Sequence, residues 1–397
     1  MTFFVNRDVN QLSAHASLHA LAWCFCGLFS AVFLLRAGLT VAQTFLVFAA
    51  ILTLRFALRP LVLALAPTIG LRRTLIVGTL LFACQFPLLA FVQGLGPALA
   101  LYCFISALGD VLYWTCSHAF FAAVGEIELR GSQVAERQVL GALAGVLGPA
   151  AGGLMLAAFG PWPAFLAAFL IEIAAIVPLL YVIEPPIARK AAVGAYAAAR
   201  TGVRLFFADG WICMGSGLAW SIMMFRALGA RYDAFGGALA AAGLAGALGG
   251  MLLGRFIDRG HAMQSTLVNA AILAGSVIVK SLCEEAPIPI IAVAIGTTLL
   301  GGLYIPTLMT ALYNQAKASP CPLRFHFAAE GGWDAGGTAA CLVAAAICAA
   351  DGPLELVVLL GLPMAGAQAW LLLASYSRHE RARPRRGAVA PMIAGDA

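Results

Sequence analysis

Long apolar runs, separated by short segments that contain glycine, proline or charge, dominate the sequence. A helix needs about 20 apolar residues to cross the hydrocarbon core of a bilayer. The pattern therefore predicts twelve membrane-spanning helices, with boundaries placed to within a few residues. The first six cover residues 15–35, 40–66, 74–93, 98–121, 136–158 and 163–183, and the second six cover 205–226, 235–254, 264–282, 287–310, 326–349 and 354–375.

Composition excludes a soluble globular protein. Hydrophobic residues make up 62% of the 397 residues and charged residues only 11%, with a mean hydropathy of +0.93, whereas soluble domains contain roughly 25% charged residues. The first apolar run lacks the basic start and the cleavage site of a secretory signal peptide, so we expect it to remain as the first span.

The basic residues indicate the topology. With the N-terminus in the cytosol, most of the 24 Lys and Arg residues fall on cytosolic segments, where membrane proteins collect them. We therefore predict that both termini are cytosolic. The net charge of +6 is spread over many loops, which argues against nucleic-acid binding. The predicted organisation is a six-helix bundle at 1–186, a cytosolic linker at 187–203, a second six-helix bundle at 204–376 and a basic cytosolic tail at 377–397.

Motifs of catalytic chemistry are missing from the sequence. The ten cysteines lack CxxC spacing, so we expect small apolar packing residues and neither a disulfide, a metal site nor a cofactor. The sequence contains no GxxxxGK[ST], HExxH or GxSxG motif. No loop is long enough for a soluble catalytic domain, and we expect that the protein is not an enzyme.

The loop after the eighth span carries a resemblance to a known family. Residues 254–260 read GRFIDRG, which resembles the G-x-x-x-D-R-x-G loop signature of the major facilitator superfamily of transporters. The resemblance implies that Asp258, supported by Arg259, latches the cytosolic side shut. The corresponding loop after the second span, PTIGLRR at residues 67–73, has Pro67 where the family has Asp, so we expect a one-sided latch.

The fifth span carries a second motif, which resembles the antiporter motif of the same family. Its members are Gly145, Gly148, Pro149, Gly152 and Gly153 in the pattern GxxGPxxGG, preceded by Gly141. Small residues let helices approach closely in a membrane. In the resembled fold the fifth and eighth spans meet between the two bundles, where we expect these residues to form a sliding surface. Ordinary tight packing is the alternative.

These features together identify the sequence as a member of the major facilitator superfamily. The resemblance implies an all-α membrane fold of twelve helices in two bundles that rock about a central site. It implies a secondary active transporter of a small solute in the cell (inner) membrane, and the fifth-span motif favours proton-coupled efflux. An importer or uniporter of a small metabolite is one alternative, and a polytopic membrane enzyme or assembly factor is another. The expected partners are the solute, protons and the bilayer, and we expect a monomer.

Charged residues within the spans are the candidates for gating and coupling, because such side chains cost about 2.5–3.5 kcal/mol each and usually face a cavity or a partner. Arg55 and Arg59 lie one turn apart in the second span, and Glu330 and Asp334 one turn apart in the eleventh. These spans face each other in the resembled fold. We predict an inter-bundle gate that pairs the arginines with the acids, with a static ion pair as the alternative. Repulsion between the two acids would favour a proton on one of them, so both are coupling candidates.

The fourth span supplies further candidates. Asp110 lies near its middle and is the first choice for a proton site, because the fourth span lines the cavity in the resembled fold. His118 is a candidate proton relay, with a packing histidine as the alternative. The candidate substrate contacts are aromatic residues, with a core position as the alternative: Trp23, Tyr113, Trp114 and Tyr304.

Some ionisable residues carry weaker expectations. Asp209 in the seventh span either reaches the cavity or is solvated near the cytosolic end. Glu172 in the sixth span is expected to pair locally. His15 and His19, at the start of the first span, are expected at the membrane interface.

Overall fold

The computed structural model describes residues 6–124, 130–185, 193–257, 262–301 and 304–382. The regular secondary structure of these residues is helical throughout, which confirms the predicted all-α class. We call the described residues up to 185 the first half and those from 193 onwards the second half. The helices of the first half are α1 (Arg7–Cys26), α2 (Ser30–Arg36), α3 (Val41–Leu58), α4 (Pro60–Ile69), α5 (Leu71–Ala90), α6 (Pro97–Val124), α7 (Arg130–Phe159), α8 (Pro161–Ala174) and α9 (Ile176–Leu179).

The second half is also a series of helices. They are α10 (Ala195–Ala198), α11 (Arg200–Trp211), α12 (Leu218–Ala227), α13 (Tyr232–Ile257), α14 (Ala262–Ser281), α15 (Pro287–Gly301), α16 (Tyr304–Ala318), α17 (Pro322–Ala349), α18 (Leu354–Leu359) and α19 (Gly361–Ala382). A 3₁₀ turn at Gly27–Phe29 joins α1 to α2, and π-helical turns at Ile212–Gly217 join α11 to α12. Helix α10 and the start of α11 fall within the predicted linker, and α19 continues into the predicted tail.

Ten helical stretches of the described residues are long and apolar enough to cross a membrane. They are Arg7–Arg36, Val41–Leu58, Leu71–Ala90, Pro97–Val124, Leu140–Phe159, Pro161–Leu179, Arg200–Ala227, Tyr232–Met251, Pro322–Ala349 and Leu354–Ala374. Shorter apolar helices at Thr266–Ser281 and Pro287–Gly301 occupy the positions of two more predicted spans. The multi-pass architecture is therefore confirmed, while the count of twelve spans and the side on which the termini lie stay predictions.

Proline and side-chain caps set where several helices begin. Helices α4, α6, α8, α15 and α17 each start with proline, whose missing N–H costs no hydrogen bond at that position. At the start of α3, Thr40 Oγ1 accepts from the Gln43 backbone N at 3.1 Å, and Gln43 Oε1 accepts from the Thr40 N at 2.9 Å. The second predicted span is two helices, because Pro60 interrupts the backbone hydrogen bonds directly after Arg59.

The loop between α4 and α5 is held by an acid from the end of the first half. Gly70 has φ 97°, a left-handed conformation that glycine adopts without strain. Glu184 Oε1 then accepts from the backbone N atoms of Leu71 at 2.5 Å and Arg72 at 3.1 Å, which caps α5 with a negative charge. The latch candidates of the second half, Asp258 and Arg259, lie outside the described residues.

Helices α3 and α7 of the first half make its most extensive contacts with the second half. Within the first half α5 packs on α6 and α1 on α7, and within the second half α11 packs on α17 and α13 on α15. Between the halves, α3 packs along α17 and α7 along α13. The helices that carry the predicted gate and the fifth-span motif are therefore those at the interface of the halves.

Candidate functional site: an ion cluster between the halves

Four of the predicted gate residues form one buried group, which we call the ion cluster: Arg55, Arg59, Glu330 and Asp334. Arg55 Nη2 lies 2.6 Å from Glu330 Oε2, and Arg55 Nε lies 2.8 Å from Asp334 Oδ1. Arg59 Nη2 pairs with Asp334 Oδ2. No side chain of the cluster is more than 5% exposed. Both bases come from the first half and both acids from the second, so the cluster joins the halves by charge.

Glycines on α17 face both neighbouring helices, α3 and α11. A Cβ at Gly337 would lie 2.7 Å from Leu52 Cδ1 of α3, too near for any other residue without a shift. Gly332 and Gly336 pack against α11, where an added Cβ would overlap the backbone oxygens of Val203 and Phe207. Helix α17 therefore lies in close contact with α3 on one side and α11 on another, as small residues permit in membranes.

Neighbouring side chains complete the environment of the two arginines. Arg59 Nη1 donates to Thr115 Oγ1 at 3.0 Å, a partner that sequence reasoning missed. The Arg55 guanidinium carbon lies 5.1 Å from the centre of the Trp333 ring. Asp110 Oδ2 is 3.8 Å from Arg55 Nη1, and its side chain keeps 18% exposure. Arg55 thus faces three carboxylates, of which Asp110 is the most distant and the most exposed.

His118 connects α6 of the first half to α16 and α17 of the second. Its Nδ1 lies 2.8 Å from the Tyr313 hydroxyl, and its Nε2 lies 3.5 Å from Glu330 Oε1. Its ring also stacks on that of His326 with centroids 5.5 Å apart. Sequence reasoning missed Tyr313 and His326, although His326 lies one turn before Glu330 and the same spacing rule places it on the same face.

Asp209 is buried, which argues against the solvated alternative. The residue is 7% exposed and lies where α11, α16 and α17 meet. Its Oδ1 accepts from the Tyr304 hydroxyl at 2.5 Å, and its Oδ2 accepts from Trp333 Nε1 at 3.0 Å. The candidate substrate contact Tyr304 is therefore bound to an acid, and Trp333 lies between that acid and Arg55.

His15 and His19 are buried within the protein, while their position at the membrane interface stays a prediction. Helix α1 begins at Arg7, about 12 Å before His15 at 1.5 Å per residue. His19 Nδ1 lies 2.9 Å from Glu172 Oε1, which identifies the local partner of that acid. His15 Nδ1 lies 2.7 Å from the Ala175 carbonyl oxygen.

The other aromatic candidates occupy different environments. Tyr113 is fully buried and stacks on His19 with ring centroids 3.7 Å apart. Trp114 is partly exposed and stacks on His118 at 5.7 Å. Trp23, also partly exposed, packs over Gly27, where a Cβ would lie 2.6 Å from the indole Cδ2. Substrate contact by these residues stays a prediction.

The glycine motif of α7 has two faces. A Cβ at Gly152 would overlap the Phe25 carbonyl oxygen of α1, and one at Gly148 would lie 2.6 Å from Cys24 Cβ. On the other face, a Cβ at Gly153 would lie 2.5 Å from the Tyr232 oxygen of α13. A Cβ at Gly236 would overlap the Pro149 carbonyl oxygen, and one at Gly243 would overlap that of Gly145. A Cβ at Gly141 would meet open space. The motif packs within its own half and across to the other, and its sliding role stays a prediction.

Comparison with known proteins agrees with this architecture. Residues 12–320 match the family model described as Major Facilitator Superfamily. A point variant of the E. coli fucose:proton symporter FucP shares the fold with a TM-score of 0.67 at 13% identity, over 92% of this chain and 98% of that one. The human organic anion transporter MFSD10 (TETRAN) shares the fold with a TM-score of 0.64 at 14% identity, over 92% of this chain and 99% of that one. FucP in the outward conformation has a TM-score of 0.68 at 13% identity, over 94% of this chain and 99% of that one. No curated protein sequence matches the chain.

The chain belongs to the major facilitator superfamily. It is a membrane transporter and not an enzyme, which removes the polytopic enzyme alternative. The matched region ends at residue 320, so it includes Arg55, Arg59 and Asp110 but not Glu330 or Asp334. The two acids of the ion cluster therefore lie outside the region that the family model matches.

Proposed function

We propose that this protein is a secondary active transporter that exports a small solute across the cell (inner) membrane in exchange for protons, by alternating access and as a monomer. The ion cluster carries the proposal, because it joins the halves through charges that are costly to leave unpaired. The resemblance of the α7 motif to the family's antiporter motif supports efflux.

The ion cluster is the gate of this mechanism. Every one of its ion pairs links α3, or Arg59 directly after it, to α17, so moving the halves apart along that crossing breaks all of them together. Separated charges in a low-dielectric interior need water or new partners. A water-filled opening supplies both, so the cluster favours either a closed or a fully hydrated arrangement and disfavours intermediates.

Asp110 is the proton site and His118 the relay. The positive charge closest to Asp110 is that of Arg55 at 3.8 Å, and Arg55 already has closer partners in Glu330 and Asp334. A largely enclosed carboxylate without its own counter-ion is costly to keep charged, so a proton is readily held there. When Asp110 loses its proton it competes for Arg55 and weakens the cluster, which couples the proton to the gate. The contact of His118 with Glu330 gives the proton a route between the halves.

An exchange assay tests the proposal. Metabolites released by cells that express the protein are compared with those released by cells that lack it. A compound whose release depends on the protein is then loaded into pyranine-filled vesicles with the purified chain. We expect its exit to bring protons in, and we expect Asp110→Asn to abolish the proton movement. Asp351→Asn is the control, since Asp351 is exposed in the turn after α17. Exit without proton movement, or with protons in the same direction, would contradict antiport.

Charge exchange across the gate tests the role of the ion cluster. Arg55→Glu and Glu330→Arg each place like charges side by side, whereas the double variant restores an opposite pair at the 2.6 Å contact. We expect the double variant to transport faster than either single variant. If the double variant transports no faster than the single variants, the pairing does not control transport.

A further inference from the structure

Asp209 differs from the other embedded acids in having no cationic partner. Asp209 is only 7% exposed, yet none of the ion pairs in the described part of the chain includes it. Arg55 and Arg59 are both occupied by Glu330 and Asp334. The two guanidinium groups therefore do not balance this carboxylate.

The described hydrogen bonds of Asp209 come from neutral groups. Tyr304 donates to Oδ1 at 2.5 Å and the Trp333 indole N–H to Oδ2 at 3.0 Å, and the Cys213 thiol makes a longer contact with Oδ1 at 3.9 Å. Since a carboxylate oxygen can accept two hydrogen bonds, Oδ2 has room for a further donor. These bonds orient the carboxylate without supplying the positive charge that a buried carboxylate needs.

The polar edges of two aromatic side chains contact this acid. Trp333 and Tyr304 are both partly exposed, and the Trp333 ring already has the Arg55 guanidinium 5.1 Å from its centre. An aromatic ring attracts a cation through its negative face. A carboxylate next to two aromatic side chains has the chemistry that recognises an organic ammonium group. The carboxylate supplies the opposite charge, and the rings supply apolar surface for the rest of the molecule.

We infer that Asp209, Tyr304 and Trp333 form a subsite for a positively charged amine group of the transported solute. The inference rests on the proposed function, since it takes the solute to pass between the halves. An anionic solute fits less well, because Asp110, Asp209, Glu330 and Asp334 outnumber the two arginines in this region. The subsite also adjoins the gate, because Trp333 contacts Asp209 through its N–H and Arg55 through its ring.

Three probes of similar shape and different charge test the inference: 2-phenylethylamine, 2-phenylethanol and 3-phenylpropionate. Their binding to the purified full-length protein in nanodiscs is measured by calorimetry at pH 7. We expect the dissociation constant of the amine to be at least tenfold lower than those of the alcohol and the carboxylate. Asp209→Asn should weaken amine binding at least tenfold. The control Asp233→Asn removes an acid that pairs with exposed Arg231 instead, and it should bind the amine as the wild type does.

Several results would overturn the inference. These are equal binding of alcohol and amine, tighter binding of the carboxylate, no amine binding at millimolar concentration, or unchanged amine binding by Asp209→Asn. Loss of amine binding in Asp110→Asn but not in Asp209→Asn would move the cation to Asp110 and equally overturn it. If Asp209→Asn does not fold, binding of the three probes to the wild type and to Trp333→Phe tests the inference instead. Trp333→Phe keeps a ring and should keep the preference for the amine.

The outcome is separable from that of the proposed function. Equilibrium binding requires neither a proton gradient nor movement of the halves. If the protein exports its solute in exchange for protons but does not prefer the amine, only the subsite is refuted. If it prefers the amine but does not exchange solute for protons, the exchange mechanism is refuted and the subsite is still supported.

Discussion

Asp334 is the acid that both arginines of the ion cluster share, and its substitution by asparagine is the most direct perturbation of the proposed gate. The residue is fully buried, with Oδ1 2.8 Å from Arg55 Nε and Oδ2 paired with Arg59. Asp334→Asn preserves shape and removes the charge. Arg55 keeps Glu330 at 2.6 Å, while Arg59 keeps only the Thr115 hydroxyl at 3.0 Å among its described hydrogen bonds and ion pairs.

The expected magnitude follows from the burial of the remaining charge. Removing one partner of a buried ion pair costs about 3–5 kcal/mol, because the other charge stays buried without compensation. If water reaches Arg59 when the halves separate, this cost falls on the closed arrangement alone. At 1.4 kcal/mol per tenfold change, the closed-to-open ratio should fall by roughly 100- to 4000-fold.

Hydrogen exchange followed by mass spectrometry detects this shift. In full-length protein in nanodiscs, we expect faster exchange of peptides from α3 and α17 in Asp334→Asn than in the wild type. Asp351→Asn makes the same chemical change at an exposed position after α17 and should exchange as the wild type does. Unchanged exchange in both helices would refute the gate. Faster exchange spread evenly over all helices would instead indicate a static ion pair that stabilises the fold.

Two further predictions concern packing away from the gate. Gly152→Ala should lower the free energy of unfolding in a denaturant titration by about 1–3 kcal/mol, because the new Cβ overlaps the Phe25 carbonyl oxygen. The control Gly141→Ala meets open space and should leave the free energy of unfolding unchanged. Equal effects of the two substitutions would contradict this prediction. Glu172→Ala should lower the free energy of unfolding by about 1–3 kcal/mol, because His19 loses its partner at 2.9 Å. The control is Glu285→Ala, since Glu285 is exposed. An unchanged free energy of unfolding in Glu172→Ala would show that the pair adds nothing to stability.

The ion cluster was predictable because ionisable residues are rare in membrane spans and stand out from the apolar pattern. Spacing of four residues placed Arg55 with Arg59, and Glu330 with Asp334, on single helical faces. The sequence contains no comparable signal for the contact of His19 with Glu172, which lie 153 residues apart. Periodicity reports which face of a helix is polar, and it does not report which helix that face meets.

Helix interruptions were the other features that the pattern hid. The apolar run of the second predicted span continues through Pro60, so hydropathy alone joins α3 to α4. The π-helical turns at Ile212–Gly217 are equally apolar. Such breaks matter here because Arg59 lies at the first of them and Asp209 lies shortly before the second. Both are set by backbone hydrogen bonding, which hydropathy does not measure.

In the proposed mechanism, proton and solute act on the same arginine with opposite signs. A proton on Asp110 removes a competitor for Arg55, which leaves that guanidinium to Glu330 and Asp334 and strengthens the cluster. A cationic solute at Asp209 lies against Trp333, whose ring already faces Arg55, so it repels Arg55 and competes for the ring. A ligand shifts a conformational equilibrium only through different affinity for the two states. The proton therefore favours the closed cluster and the solute favours the open one, which is the opposition that exchange of one for the other requires.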